Sequence, residues 1–452
     1  MIRVLRIELR RSNVPVVALS VFLVSALVLG LTFREWLRDW SQLAEMTEQA
    51  VGLTAALAAA GGAVLGRREK RSRADELFAG TGRPAWQKVA PTAGALSIGL
   101  VAVQGLILAA ALVLVRVNAS YQSYSAVWQL GPDLAVLAGA GLLGLAAGRA
   151  WSSAFVAPGL AAGLVLVQVV FSASGVPHPL SFFNSGASTW TRLADEVVLG
   201  RAALGAGLLV AGILLAASRN WAVRGLGAGA LVAGVAAALV ITPVQRFEVD
   251  PAARRLVCSE GAPQVCVTAV HAYALADTTR QAREALGHLS QLPDAPQRAI
   301  ELNYDPVAAG LTDTSTSTLP WDTTPDVAPG TMQFELVLKD GAATDPDLMR
   351  SMVSGAGASL NGCRLDDPRP LAVAGAWLTD APTFEPISPY LRDMPFPIPT
   401  PPEEMQAIGA AVAKLRALPH QQQVQRVSEF REALRACRTK GLMDILIAPG
   451  PA

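Results

Sequence analysis

The stretch Arg67–Lys88, RREKRSRADELFAGTGRPAWQK, lies between two runs that carry almost no charge. Basic residues crowd its front: Arg67, Arg68, Lys70, Arg71 and Arg73. Asp75 and Glu76 follow, then the apolar pair Leu77 and Phe78. Gly80, Gly82 and Pro84 break any helix, and Trp86 opens the next apolar run. The order predicts a basic anchor beside anionic headgroups, then a short amphipathic helix lying flat on a membrane face. Such a helix either rests in lipid or docks in a partner's groove.

The rest of the chain explains why this segment stands out. Of 452 residues, 52% are hydrophobic and 16% charged, whereas a soluble chain carries about 25% charge. The deficit is uneven. Up to about Val244 the sequence is mostly Ala, Val, Leu and Gly; beyond it Asp, Glu, Arg, Pro and Thr return. This composition predicts a polytopic α-helical membrane domain (13–244) followed by a soluble mixed α/β domain (245–452). A net charge of +1 gives no sign of a nucleic-acid partner.

A bilayer core takes about 20 apolar residues as helix, because lipid offers an unpaired amide no partner. Seven runs qualify as candidate spans: Val14–Phe33, Ala50–Gly66, Ala90–Val115, Leu134–Ala147, Ala154–Ser174, Leu199–Ala217 and Leu226–Val244. The fourth, short and glycine-rich, is the weakest, and GRAWSS leaves room only for a tight turn into the fifth. A re-entrant hairpin there would leave five crossings and the same orientation. The first run is read as a retained helix: it is long enough to span, and no small-residue cleavage site follows it.

Lys and Arg in the short loops set the orientation. Fourteen fall on one side: Arg3, Arg6, Arg10, Arg11, the seven of the 67–88 segment, Arg149, Arg219 and Arg224. Five fall on the other: Arg34, Arg38, Arg116, Arg192 and Arg201. The first side is expected to be cytoplasmic. An odd number of spans then carries residues 245–452 outside the plasma (inner) membrane, with the N-terminus inside.

All four cysteines, Cys258, Cys266, Cys363 and Cys437, follow the last span, which suits disulfides in an oxidising compartment. Three pairings are open; the favoured one joins Cys258 to Cys266 and Cys363 to Cys437. A metal site is not expected, since there is no C-x-x-C and the histidines are scattered. Within the spans no ionisable residue is expected at mid-depth, which argues against an ion-coupled carrier. Gln104 and Gln168 are the candidates to line a translocation path. The small-residue run AGAGLLGLAAG, Ala138–Gly148, is expected to pack helices closely.

The layout resembles that of type II ABC exporter permeases, over about Met1–Ser218. In that family a basic run leads into Glu-x-Leu-Leu-Ala-x-x-Pro-like residues between spans two and three; here Glu76, Leu77, Phe78, Ala79, Gly80, Thr81 and Pro84 stand there. The resemblance implies a coupling helix on an ATPase, carried by Arg73, Glu76, Leu77, Phe78 and Pro84. It also implies a basic interface helix over residues 1–12, and a homodimer or a second permease. A seventh span and a large outer domain go beyond the family's six spans, as in actinobacterial permease-like proteins with a cysteine-bearing outer domain. The chain has no G-x-x-x-x-G-K-[ST], so ATP and Mg belong to a separate ATPase chain, and no cofactor is expected on this one. The function expected from the resemblance is the permease subunit of an exporter, itself not an enzyme, moving an amphipathic or peptide- or lipid-like substrate. The alternative is a membrane-anchored sensor or immunity protein with a ligand-binding outer domain.

In the soluble region RFEV, RRLVCS, QVCVTA and TMQFELVLK read as strands. His271–Leu292, Glu403–Leu418 and Gln421–Thr439 read as helices. VHAYAL at His271 lacks the Glu and second His of a zinc peptidase.

Overall fold

The protein is described by a computed structural model covering residues 12–71, 85–123, 125–151, 153–173, 182, 189–217, 220–243, 247–302, 328, 330–338, 342–358, 365, 367–385 and 400–448. The chain divides into two compact units, the first Met1–Ala253 and the second beginning at Arg254.

The first unit is helical. Its long elements are α1 (Val14–Leu31), α2 (Trp40–Arg71), α3 (Ala85–Asn118), α4 (Ser125–Ala150), α5 (Val156–Ala173), α6 (Asp195–Ala217) and α7 (Trp221–Ile241). Six are long and apolar enough to cross a membrane; α5 falls among the shorter apolar helices. This corrects the expectation that the fourth run is weakest: α4 is a full 26 residues, and α5 is the marginal one. A strand pair, β1 (Thr191–Leu193) and β2 (Phe247–Val249), joins the start of α6 to the chain after α7. Residues 247–253, expected with the soluble region, therefore belong to the first unit.

Three helices begin well before the apolar runs that signalled them. α2 starts at Trp40, where Asp39 Oδ1 accepts from the backbone N–H groups of Ser41 and Gln42 at 2.8 and 3.3 Å, a side-chain cap on orphan donors. α4 starts at Ser125 and α6 at Asp195. Near these starts several polar residues are buried, Ser41, Glu45 and Glu48 of α2, Gln129 and Asp133 of α4 and Arg201 of α6, so a hydropathy window ends too early.

Close approach of backbones fixes the order of packing. A Cβ on Gly144 or Gly148 of α4 would overlap the carbonyl oxygens of Ala59 and Ala63 of α2, and one on Gly62 or Gly66 of α2 would overlap those of Gly141 and Leu145. These are interlocking small-xxx-small faces. The contacts advance together along both chains, so α2 and α4 run parallel. So do α4 and α6, where Gly205 meets Ala135, Gly139 meets Leu208 and Gly212 meets Leu142. α7 returns antiparallel to α6, with Gly207 against Gly234 and Gly227 against Leu215. Because α4 and α6 point the same way, the chain between them has to return along the bundle, and α5 lies on that path.

The second unit holds a four-stranded sheet in the order β3 (Leu256–Cys258), β4 (Gln264–Thr268), β5 (Arg298–Glu301), β6 (Thr331–Phe334). β3–β4 is antiparallel; β4–β5 and β5–β6 are parallel. The parallel crossover from β4 to β5 runs through α8 (Leu275–Leu289), preceded by a 3-10 turn over Ala269–Ala274. Five more helices follow: α9 (Leu348–Val353), α10 (Arg369–Leu378), α11 (Pro402–Arg416), α12 (His420–Arg435) and α13 (Leu442–Ile447). Val265, Val267, Ala299, Met332 and Phe334 turn one sheet face into a core with Leu286, Leu289, Met352, Leu371 and Phe430. This helix-on-sheet arrangement agrees with the expected mixed α/β class.

Candidate functional site

Glu48, Asp133 and Arg201 come from α2, α4 and α6, each about two turns from the start of its helix. Since the three helices run parallel, the side chains meet at one depth. Arg201 Nη2 lies 2.7 Å from Glu48 Oε2, and Nη1 lies 3.7 Å from Asp133 Oδ1. Arg201 is 1% exposed, Glu48 2% and Asp133 0%. The three helices extend beyond the apolar runs that signalled them, so these ionisable groups fall within candidate spans, near the helix starts and not at mid-depth. Arg201 also leaves the loop tally used for orientation, which then stands at fourteen against four.

The cluster is polar beyond the three charges. Gln129, one turn before Asp133 on α4, is buried, and both atoms of its amide lack hydrogen-bond partners, as do both oxygens of Asp133. The Phe182 ring covers the guanidinium at 5.1 Å from Cζ, a cation–π contact. Taking charges out of water costs several kcal/mol per ion, so a purely structural bundle has every reason to be apolar here. Ionisable groups kept inside spans mark pathways and relays.

The same end of the bundle is closed by further polar contacts. Arg192 pairs with Glu248 across β1–β2 at 2.6 Å, and Trp40 Nε1 donates to the Tyr121 carbonyl at 3.1 Å. Tyr121 sits in the connection between α3 and α4. Burial first, then the carboxylates of Asp39 and Asp250, hold its phenol well above the ordinary tyrosine range.

Of the two glutamines expected to line a path, Gln168 of α5 reaches this site. Its Oε1 accepts from the backbone N–H of Phe182 at 2.8 Å, so it positions the ring over Arg201. Gln104 does not. It is fully buried and accepts from Ser25 Oγ at 2.7 Å, a bond between α1 and α3. The coupling residues Arg73, Glu76, Leu77, Phe78 and Pro84 lie outside the described residues, as does the basic segment before Ser12.

In the second unit the sulphurs of Cys258 and Cys266 are bonded. Cys437 is also disulfide-bonded; its expected partner, Cys363, lies outside the described residues. His271 has an acidic partner that adjacency in sequence did not reveal. Its Nδ1 is 2.5 Å from Glu301 Oε1, while Glu301 Oε2 accepts from Thr268 N at 2.6 Å and Thr268 Oγ1 at 2.8 Å. This buried clasp ties the end of β4 to the end of β5. No group of three metal-ligating side chains occurs among the described residues.

No family model, no curated protein and no solved structure matches the chain.

Proposed function

We propose that this chain is the membrane permease subunit of an ABC-type exporter, moving an amphipathic, peptide- or lipid-like substrate outward. The observation that supports the reading is the layout: six candidate spans, with the basic 67–88 segment joining α2 to α3. The bundle also keeps three ionisable side chains, Glu48, Asp133 and Arg201, at one depth on the three helices that form its centre. The site is placed to change partners when those helices move.

The energy comes from a separate ATPase chain, which holds the ATP and Mg. Residues 72–84 join α2 to α3 and form its docking segment, with Arg73, Glu76, Leu77, Phe78 and Pro84 making the contact. The permease works as a homodimer or with a second permease. The N-terminus lies in the cytoplasm of a cell whose inner membrane holds the bundle. The parallel course of α4 and α6 supports a crossing by α5, hence seven crossings and an extracytoplasmic second unit. The bonded cysteines suit that compartment.

The test has two steps: the neighbouring genes should include an ATPase without membrane spans of its own, and that chain is then co-purified with wild type and with the Leu77→Asp, Phe78→Asp double variant. Loss of the ATPase from the variant, with the membrane unit still monodisperse, is the expected result. Equal recovery from both removes the docking assignment.

A further inference from the structure

The disulfide of the second unit is built asymmetrically. Cys258 and Cys266 face each other directly in the antiparallel register of β3 and β4. β3 is an edge strand, and Cys258 on it is half-buried, whereas Cys266 is fully buried. Behind the bridge stands Arg298 of β5, the parallel neighbour of β4. Its Nη2 lies 3.4 Å from Cys266 Sγ and 3.9 Å from Cys258 Sγ. Among the described residues its Nε has no hydrogen-bond partner. A guanidinium aimed at a sulphur stabilises that sulphur as a thiolate, and a better leaving thiolate departs faster in exchange. The bridge closes a loop with a sequence separation of 8, a short span that constrains the unfolded chain less than a long one.

We propose that Cys258–Cys266 is a thiol–disulfide exchange site, reduced by an external dithiol, with Arg298 receiving the departing Cys266 thiolate. An incoming thiolate attacks Cys258 Sγ, the sulphur on the sheet edge. A sulphur–sulphur bond forms to Cys258 as the Cys258–Cys266 bond breaks, and the electron pair passes to Cys266 Sγ beside Arg298. The second thiol of the dithiol, losing its proton, then attacks the incoming sulphur. This closes the external disulfide and releases Cys258, which takes up a proton. The dithiol is oxidised by two electrons and the protein reduced by two. The site stands apart from the permease reading and survives its failure.

The full chain in lipid nanodiscs is exposed to graded glutathione and, separately, dithiothreitol; free thiols are alkylated, and each cysteine is read by peptide mass spectrometry. The bridge that contains Cys437 serves as the comparison within the same molecule. Cys258–Cys266 should open at least about tenfold faster than the Cys437 bridge, with glutathione trapped on Cys258. Arg298→Gln should slow the opening about tenfold, and Arg298→Lys, which keeps the charge, should restore most of the rate. Circular dichroism of each variant guards against misfolding. Three results overturn the proposal: equal or slower opening than the Cys437 bridge, glutathione on Cys266 instead of Cys258, or an unchanged rate in a folded Arg298→Gln.

Discussion

Arg201 and Glu48, 153 positions apart in sequence, share an ion pair of 2.7 Å with both side chains sealed from solvent. Asp133 approaches the same guanidinium from a third helix without bonding it, at 3.7 Å. One cation thus serves two carboxylates on two different helices.

Removing the cation strands both acids. Arg201→Leu should destabilise the first unit by about 3–5 kcal/mol, the cost of breaking a buried pair by deleting one partner. The triple change Arg201→Leu, Glu48→Gln, Asp133→Asn should regain much of that loss, because no uncompensated charge remains. Thermal unfolding in one detergent compares the three proteins; a single variant that melts with the wild type would show that the cluster carries no stability.

The glycines of the first unit's helices divide into two kinds. Gly144→Val inserts a side chain where the Ala59 backbone already sits, so α2 and α4 must separate. Gly159→Ala and Gly163→Ala on α5 meet open space. Fluorescence-detected size exclusion should show collapse of monodisperse yield for the first and a wild-type profile for the other two.

Sidedness turns on α5. With seven crossings, protease added to intact cells should cut the chain between α10 and α11. With six, cutting should wait for lysis. Protection in whole cells would place the second unit in the cytoplasm and show that α5 does not cross, with residues 72–84 on the same side as before.

Asp367 gives a pH-dependent effect in the second unit. Hydrogen bonds from the Arg369 side chain and backbone N–H hold its carboxylate below its ordinary value of 3.8. A depressed folded value means the stabilisation is present above the unfolded value and is lost as pH falls through the folded one. Asp367→Asn should therefore loosen the first turn of α10 at neutral pH, and the difference from wild type should vanish in acid. Hydrogen exchange at Leu371 and Ala372, compared between the two proteins at each pH, measures it. A gap that widens below pH 3.8 would reverse the assigned sign.

The membrane helices were legible because their middles are apolar over a bilayer's thickness, from Val14 to Leu226. Their polar openings were not. Glu48 and Asp133 lie just before the apolar runs, and Arg201 was counted with a loop, although it sits inside α6. Each resembles a helix-end residue until the parallel packing of α2, α4 and α6 brings them together; nothing local in sequence encodes that. The strand at Arg298–Glu301 was missed because four residues carry too little alternation. The helix at Arg369–Leu378 was missed because it is buried all round, which erases helical periodicity. For the same reason the Glu301 partner of His271, and the Arg298 partner of the disulfide, had no signal in spacing. The Cys258–Cys266 pairing itself was legible, since the seven residues between them, Gly261 and Pro263 included, make a hairpin.

The interlocked glycines of α2 and α4 have a mechanical meaning. Where two backbones touch over Ala59–Gly66 and Gly141–Arg149, no side chains can slide, so the helices cannot part at that level. The lock lies next to residues 72–84, and the charges lie at the far end. A push delivered near Arg71 would then travel along α2 and α4 as one stiff body toward the end where Arg201 holds two acids.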